Sequence, residues 1–254
     1  MNARLLGHAW WKAAAVITGA LLLRHLWVCF HIHPYADDLA YAITGRTHEL
    51  LPRLATEREI WNGRYFSNIL MLRGPLLLPE AWLWPVYRLM PLVWIGLSLL
   101  AWRALLKALT TIRALPLWTL SGILLLCYLN AMPDAAEGIY LYTGAATYQL
   151  PSALCLFGVA LAVKSDGAGL RSWWGWLALY GITTIGSGCN EMHAVLLPLA
   201  WAGWAAWRWR RGARWDPRII VGFVLAVACL TYVISAPGNA VRGASEETPY
   251  GHDS

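Results

Sequence analysis

Long apolar runs recur along the chain, separated by short polar connections. An α-helix rises 1.5 Å per residue, so about 20 apolar residues cross the roughly 30 Å hydrocarbon core of a bilayer. The pattern predicts seven such helices, at about 11–31, 82–106, 115–132, 147–163, 172–188, 191–207 and 219–235. The predicted fold class is therefore all-α: a polytopic membrane helical bundle of about seven transmembrane helices.

The segment 60–81 is apolar enough to contact lipid, and its placement decides the sidedness of every later loop. Read as a span, it would invert those loops, so we predict a helix lying along the outer interface. The outer loop of about 32–81 then holds two short helices, at about 47–60 and 62–72. Without repeats or linkers, the chain is predicted to be a single transmembrane domain over 1–254.

The two ends of the chain carry further expectations. Arg4 and Lys12 precede the first span, and no small-residue cleavage site follows it. We therefore expect this span to stay as an anchor rather than to be removed as a signal peptide. The polar tail at 244–254 fits either a complete protein or the first part of a longer one.

Composition and charge support a membrane location. Of the 254 residues, 58% are hydrophobic and 13% are charged, whereas about 25% are charged in soluble domains. With the N-terminus in the cytoplasm, the inner side holds twelve basic and two acidic residues, and the outer side holds seven arginines and twelve acids. This asymmetry obeys the positive-inside rule, so the net charge of +6 does not indicate a nucleic-acid partner.

The first candidate for chemistry is the pair Asp37 and Asp38, which follows the first span. A carboxylate at the membrane boundary is suited to act as a general base for a hydroxyl, or to hold a divalent cation bound to a phosphate. The alternative is a solvated loop that ends the helix. The five cysteines lie in or beside apolar spans without metal spacing, and we interpret them as packing residues.

Other polar segments are predicted on the same outer face. Arginine is suited to pair with a phosphate or with the Asp pair, and clustered tyrosines with an amide suit sugar recognition. The alternatives are an interfacial aromatic belt, tight polar turns and a helix-terminating Pro-Gly-Asn turn. The candidate substrate-binding residues are Arg64, Tyr65, Asn68, Tyr142, Tyr148, Gln149, Asn190, Glu191, His193, Asn239 and Arg242.

The ordered set of short motifs resembles the GT-C superfamily of integral-membrane glycosyltransferases, and a poorly characterised bacterial family grouped near it. The motifs are Tyr-Ala-Asp-Asp, Gly-Arg-Tyr-Phe, Tyr-Gln-Leu-Pro, Asn-Glu-Met-His and Pro-Gly-Asn-Ala-Val-Arg, within about 10–243. The resemblance implies a GT-C-like core with juxtamembrane helices in the first outer loop. It also implies an acidic residue after the first span as base or metal ligand, a position that Asp37 and Asp38 match. At 254 residues the chain is short for such an enzyme, many of which have additional spans or a soluble domain, and this departs from the resemblance.

The resemblance implies a glycosyltransferase in a bacterial inner membrane, with its site facing outward. Its partners would be a polyprenyl-phosphate-sugar donor, a glycan or lipid acceptor and membrane lipids. Asp37 or Asp38 would be the catalytic base, and any cofactor would be a divalent cation, Mg²⁺ or Mn²⁺, on the same pair. Arg64 and Arg242 would hold the leaving phosphate. The main alternative is a non-enzymatic transporter or a subunit that binds lipid-linked saccharides, and a third is an acyltransferase or phosphotransferase.

Overall fold

The computed structural model describes residues 3–168, 173–214 and 216–247, and these residues form helices with no strand among them. This confirms the predicted all-α class. Arg171 and positions 248–254 of the predicted polar tail lie outside the described residues. The α-helices are α1 (Ala3–Cys29), α2 (Asp37–Thr47), α3 (Leu50–Ile60), α4 (Tyr65–Leu72), α5 (Glu80–Leu109), α6 (Ala114–Ala131), α7 (Tyr142–Gly144), α8 (Leu150–Ala168), α9 (Trp173–Cys189), α10 (Glu191–Arg210), α11 (Pro217–Ile234) and α12 (Pro237–Glu247).

Within the described part of the chain, five helical segments are long and apolar enough to cross a bilayer, as expected of a multi-pass membrane protein. They are Ala9–Cys29, Glu80–Leu109, Ala114–Ala131, Tyr142–Lys164 and Pro217–Ile234. Helices α9 and α10 coincide with the other two predicted spans, and α9 has 17 residues. The crossing of the bilayer by α9 and α10 stays a prediction.

The first predicted outer loop contains three α-helices rather than two. The additional helix, α2, begins at Asp37, where the sequence was interpreted as a loop. Two carboxylates in a first turn stabilise a helix, because their negative charge interacts favourably with the positive end of its dipole. The bounds of α3 and α4 agree within about three residues with the two helices predicted at 47–60 and 62–72. A 3₁₀ turn at Pro75–Leu77 follows them.

Two later segments also differ from the prediction. Pro237, which the sequence places in a Pro-Gly-Asn turn, instead begins α12. Proline is favourable at a first helical position, because its missing N–H would have no partner within the helix there. The helix predicted from about 147 is already helical from Tyr142, through α7 and a π-helical turn at Ala145–Gln149. Another π-helical turn, Ala136–Tyr140, precedes it.

The chain divides into two compact units. The first unit comprises 1–38 and 78–171, and the second comprises 39–77 and 172–254. Within the first unit, α5 packs against α6 and α8, and α1 packs against α6. Its core contains Ile95, Leu125, Leu129 and Ile139, all buried. The prediction of one domain over 1–254 stays a prediction.

Within the second unit, α9, α10 and α11 pack against one another, α4 packs on α9, and α3 packs on α12. Gly222 permits the close approach of α11 to α10, because a Cβ atom there would lie 2.4 Å from the ring of Trp201. Polar residues set the helix starts. Asn190 and Asp216 accept hydrogen bonds from backbone N–H groups in the first turns of α10 and α11, as N-cap residues do.

Candidate functional site

Asp38 is a buried carboxylate in the first unit, with 3% of its surface exposed. Its Oδ2 accepts a hydrogen bond from the Tyr87 hydroxyl and a second from the backbone N–H of Tyr142, at 3.2 Å. Its Oδ1 accepts from the backbone N–H of Thr143 at 2.9 Å. Three donors from two further segments therefore hold this side chain and stabilise its charge.

Asp37, the other member of the pair, is exposed in the first turn of α2. The adjacent carboxylates thus have different environments. Asp38 does not fit a divalent cation, because the three groups around it direct hydrogens, rather than lone pairs, toward its oxygens. Among the described residues, no group of three or more His, Cys, Asp or Glu residues is arranged to hold a metal ion.

The predicted sugar-binding residues of the first unit have different surroundings. Gln149 is 1% exposed, accepts a hydrogen bond from the Tyr128 hydroxyl at 2.9 Å and donates to the Ser98 hydroxyl. The Tyr142 ring packs against the Trp94 ring, with 6.3 Å between their centroids. Tyr148 is 48% exposed, so it is the most accessible of the three predicted residues.

A second cluster of predicted residues lies in the second unit, where one carboxylate joins two guanidinium groups. Arg64 Nε donates to Glu191 Oε2 at 2.8 Å, and Arg242 Nη2 donates to Glu191 Oε1 at 3.1 Å. Exposed side-chain fractions of 17–24% place these three residues at a partly buried boundary. Two positive charges face one negative charge, so the cluster carries a net charge of +1 and favours an anion.

Local structure explains how the cluster forms. Asn190 caps α10, its Oδ1 accepting from the Met192 N–H at 2.8 Å, and this places Glu191 in the first turn. The Oδ1 of Asn62 accepts from the Arg64 backbone N–H at 3.0 Å and from Asn68 Nδ2 at 3.1 Å. Asn62 and Asn68 thus fix the start of α4, where Arg64 is located.

Tyr65 fixes α4 against α9. Its hydroxyl donates to the Thr184 carbonyl at 2.5 Å. Gly188 makes room for its ring, since a Cβ there would lie 2.2 Å from Tyr65 Cε2. Burial raises the pKa of the Tyr65 phenol, so the group remains a neutral donor. Tyr65 therefore has a packing role beside the cluster.

Two further predicted residues also have positions that the structure defines. The Nδ2 of Asn239 donates to the carbonyls of Val233 and Ile234, at 2.8 and 3.2 Å, and so satisfies the end of α11. His193 is half-buried on α10, two positions beyond Glu191. Residues two apart on a helix face different directions, so His193 and Glu191 do not share a face.

Sequence reasoning did not identify Tyr87, the hydroxyl donor to Asp38, because a tyrosine within an apolar run is usually a packing residue. It also did not identify the contact of His25 Nδ1 with the Tyr140 hydroxyl, at 2.7 Å. Histidine inside a span is a recognisable signal for a functional or paired position. The sequence predicts that Asp37, Asp38 and Tyr148 share the outer face with the Glu191 cluster; this stays a prediction, because the two groups belong to different units.

The fold and the two polar clusters define the chain as a helical protein with the features of a multi-pass membrane protein. Comparison of the chain with protein-family models, with curated proteins and with solved structures gives no match.

Proposed function

We propose that this protein is a membrane glycosyltransferase that transfers a sugar from a polyprenyl-phosphate-linked donor to a cell-envelope acceptor. The observation that carries the proposal is the pairing of Arg64 and Arg242 with the single carboxylate of Glu191. Two guanidinium groups fixed in this way form a preorganised grip for a phosphate oxygen. Negative charge develops on the phosphate as it leaves, where fixed cations lower the barrier most.

In the proposed reaction, a carboxylate removes the proton from an acceptor hydroxyl. The hydroxyl oxygen forms a bond to the anomeric carbon, and the bond between that carbon and the phosphate oxygen breaks. The electron pair leaves with the lipid phosphate, which Arg64 and Arg242 hold. Asp37 is better suited than Asp38 to act as base because it is exposed, whereas Asp38 already accepts three hydrogen bonds.

The proposal includes a topology with seven spans, the cytoplasmic N-terminus predicted from charge and a GT-C-like core. The membrane would be a bacterial inner membrane, with the site on its outer face. The asymmetry between basic and acidic loops supports this orientation, and the apolar helices support repeated crossing. In this topology the loops that carry the Asp pair and the Glu191 cluster are on the same side of the membrane, and the lipid tail would lie between spans.

Transfer from a polyprenyl-phosphate-linked sugar donor, by the purified chain in vesicles, tests the proposal. Asp37→Asn should lower the transfer rate by roughly 10²–10⁴-fold, the usual contribution of a general base, without loss of folding or lipid binding. Arg242→Ala should weaken donor binding as well as turnover. Glu49→Gln, which alters an exposed carboxylate of the same predicted outer loop, is the matched control and should keep full activity.

Full transfer by both Asp37→Asn and Asp38→Asn would exclude the aspartates as base and would make Glu191 the next candidate. A non-enzymatic subunit that binds lipid-linked saccharides is the second function. The engagement of Asp38 and Glu191 in hydrogen bonds favours it, since both carboxylates are already committed to neighbouring donors. Donor binding by the wild type, with no transfer from any donor tested, would favour this function over the enzyme.

A further inference from the structure

A cavity of about 340 Å³ lies between α10 and α11 in the second unit, toward the end of α10 opposite to Glu191. Its inner wall is apolar and includes the buried side chains of Trp201 and Ile219; the exposed side chains of Ala202, Ala206 and Phe223 also line it. Its volume is at the lower end of the range for small-molecule sites in proteins. The cavity therefore has room for a small headgroup or the first methylenes of an acyl chain.

The shape of the inner wall is fixed by Trp201. Its indole N–H donates to the Thr183 hydroxyl at 2.9 Å, and its ring stacks near the rings of Trp176 and Trp204. Gly222 lies directly against this ring. The wall is thus held by contacts on several sides, so the cavity is a feature of the packing rather than of one exposed rotamer.

The mouth of the cavity is basic. Arg208 and Arg214 line it, at the end of α10 and before the start of α11. Among the described residues of its lining, the one acid is Asp216, which accepts two hydrogen bonds from the Arg218 guanidinium, both of 2.9 Å. The hydrogen bonds from Arg218, together with the nearby charges of Arg218 and Arg208, lower the pKa of Asp216. The segment 208–218 contains five arginines and one aspartate, so the mouth faces a net charge of +4.

In the topology proposed above, on which this inference rests, the cavity also lies at a membrane boundary. Helix α11, which begins at Pro217, is among the helices long and apolar enough to cross a bilayer. Trp209, a cavity residue that is 67% exposed, has the amphipathic ring typical of the interface. An apolar interior with a cationic mouth at this depth is complementary to a molecule with an acyl chain and an anionic headgroup.

We propose that this cavity binds one anionic phospholipid of the surrounding bilayer, with its phosphate at Arg208 and Arg214 and its first methylenes between α10 and α11. An arginine near an anionic lipid surface contributes about 1 kcal/mol, which corresponds to roughly fivefold in affinity. Both lipid classes carry the phosphate, but the choline cation of a zwitterionic lipid offsets its attraction to the two arginines; this predicts selectivity of roughly 30-fold for an anionic lipid.

Native mass spectrometry of the full chain in a neutral detergent tests this proposal, with phosphatidylglycerol and phosphatidylcholine of identical acyl chains as probes. The wild type should retain one phosphatidylglycerol with the selectivity given above. The double variant Arg208→Gln/Arg214→Gln should lose roughly 30-fold in affinity for it. Arg210→Gln/Arg211→Gln removes the same charge from residues that do not line the cavity, and should lose much less.

A second pair of variants tests the cavity without changing charge. Ala206→Phe fills the space between the helices and should abolish the selective site, whereas Ala200→Phe adds the same ring elsewhere on α10 and should preserve it. Equal losses in the two double arginine variants would indicate a diffuse basic surface and overturn the proposal. Equal affinity for the two lipids, or retention of selective binding in Ala206→Phe, would overturn it as well. Competition by soluble glycerol phosphate at the affinity of the lipid would assign the site to a free anion instead.

Discussion

The Nε atom of Arg64 lies 2.8 Å from Oε2 of Glu191, although 127 positions separate the two residues along the chain. Arg64 stands at the start of α4 and Glu191 in the first turn of α10. The ion pair therefore joins the predicted outer loop to the helices of the second unit. Arg242 of α12 completes the link by donating to the other oxygen of the same carboxylate.

Removing the charge of Glu191 should destabilise the second unit. In Glu191→Gln, the side-chain size is kept but Arg64 and Arg242 lose their shared counter-charge. We expect a loss of about 1–3 kcal/mol, because charge-assisted hydrogen bonds at a partly buried site are broken. At this chain length, each kcal/mol corresponds to roughly 2–4 °C in apparent melting temperature, measurable in detergent.

The control for this change is Glu59→Gln, which neutralises a carboxylate on α3 in the same unit. Glu59 lies 3.8 Å from Arg58, and its side chain is 62% exposed, so its removal should be close to neutral. A melting temperature that falls equally in both variants would show that the Glu191 pairs contribute no more than a surface contact.

Replacing Gly188 should disturb the packing of α4 on α9. In Gly188→Ala, the new methyl group would meet the Tyr65 ring at 2.2 Å, and overpacking of this kind costs about 1–3 kcal/mol. Gly181→Ala on the same helix meets nothing within 4 Å. That control should be neutral or stabilising by about 0.5–1 kcal/mol, since alanine favours a helix over glycine. Thermal unfolding in detergent compares the two.

The clash at Gly188 has a specific test by compensation. In a Tyr65→Ala background, Gly188→Ala should no longer destabilise the protein, because the ring that it meets is absent. The two changes are then strongly non-additive, as expected for residues in direct contact. An equal cost of Gly188→Ala with and without the Tyr65 ring would contradict the packing of α4 described above.

The hydroxyl of Tyr87 should stabilise the first unit through Asp38. Tyr87→Phe removes one of the three donors to this buried carboxylate, and we expect a cost of about 1–3 kcal/mol. Tyr35→Phe, at a side chain that is 73% exposed, is the matched control and should have no effect. In Asp38→Asn the same change should cost less than in the wild type, since the amide offers fewer acceptor sites. The melting temperatures of the wild type, the two single variants and the double variant form a double-mutant cycle. An equal cost of Tyr87→Phe in both backgrounds would show that the Tyr87 hydroxyl does not act through Asp38.

The apolar runs predicted the positions of the long helices because helix length and hydrophobicity are local properties of the sequence. The sequence also contains signals for the starts of α10 and α11: Asn190 before an acidic residue, and Asp216 before proline, are typical N-cap patterns. The hydrogen-bond partners of Asp38 could not be predicted from the sequence, because Tyr87 and Thr143 contact it only through tertiary packing. The same holds for Gly188, whose need to be small comes from the ring of Tyr65.

The candidate site was predictable in part. The sequence singled out Arg64, Glu191 and Arg242 as polar residues at apolar boundaries, and the structure brings these three together. It also singled out Gln149 and Asn239, whose amides instead hydrogen-bond with other groups of the protein. An amide has the same composition whether it binds a sugar or completes a helix end, so only its surroundings distinguish the two roles.

The sidedness of the loops is the prediction with the widest consequences. In a background without the five native cysteines, Ala135→Cys should react with a membrane-impermeant thiol reagent added from outside. Cysteines at positions 50 and 245 should do the same. Ala213→Cys and a cysteine at position 165 should react only after the membrane is opened, because the arginine-rich loops stay in the cytoplasm. Ala160→Cys, buried on α8, is the control that should stay unlabelled throughout.

Labelling of position 213 from outside would mean that 60–81 crosses the bilayer. The acidic residues would then no longer share one face, and the outward-facing site would be lost with them.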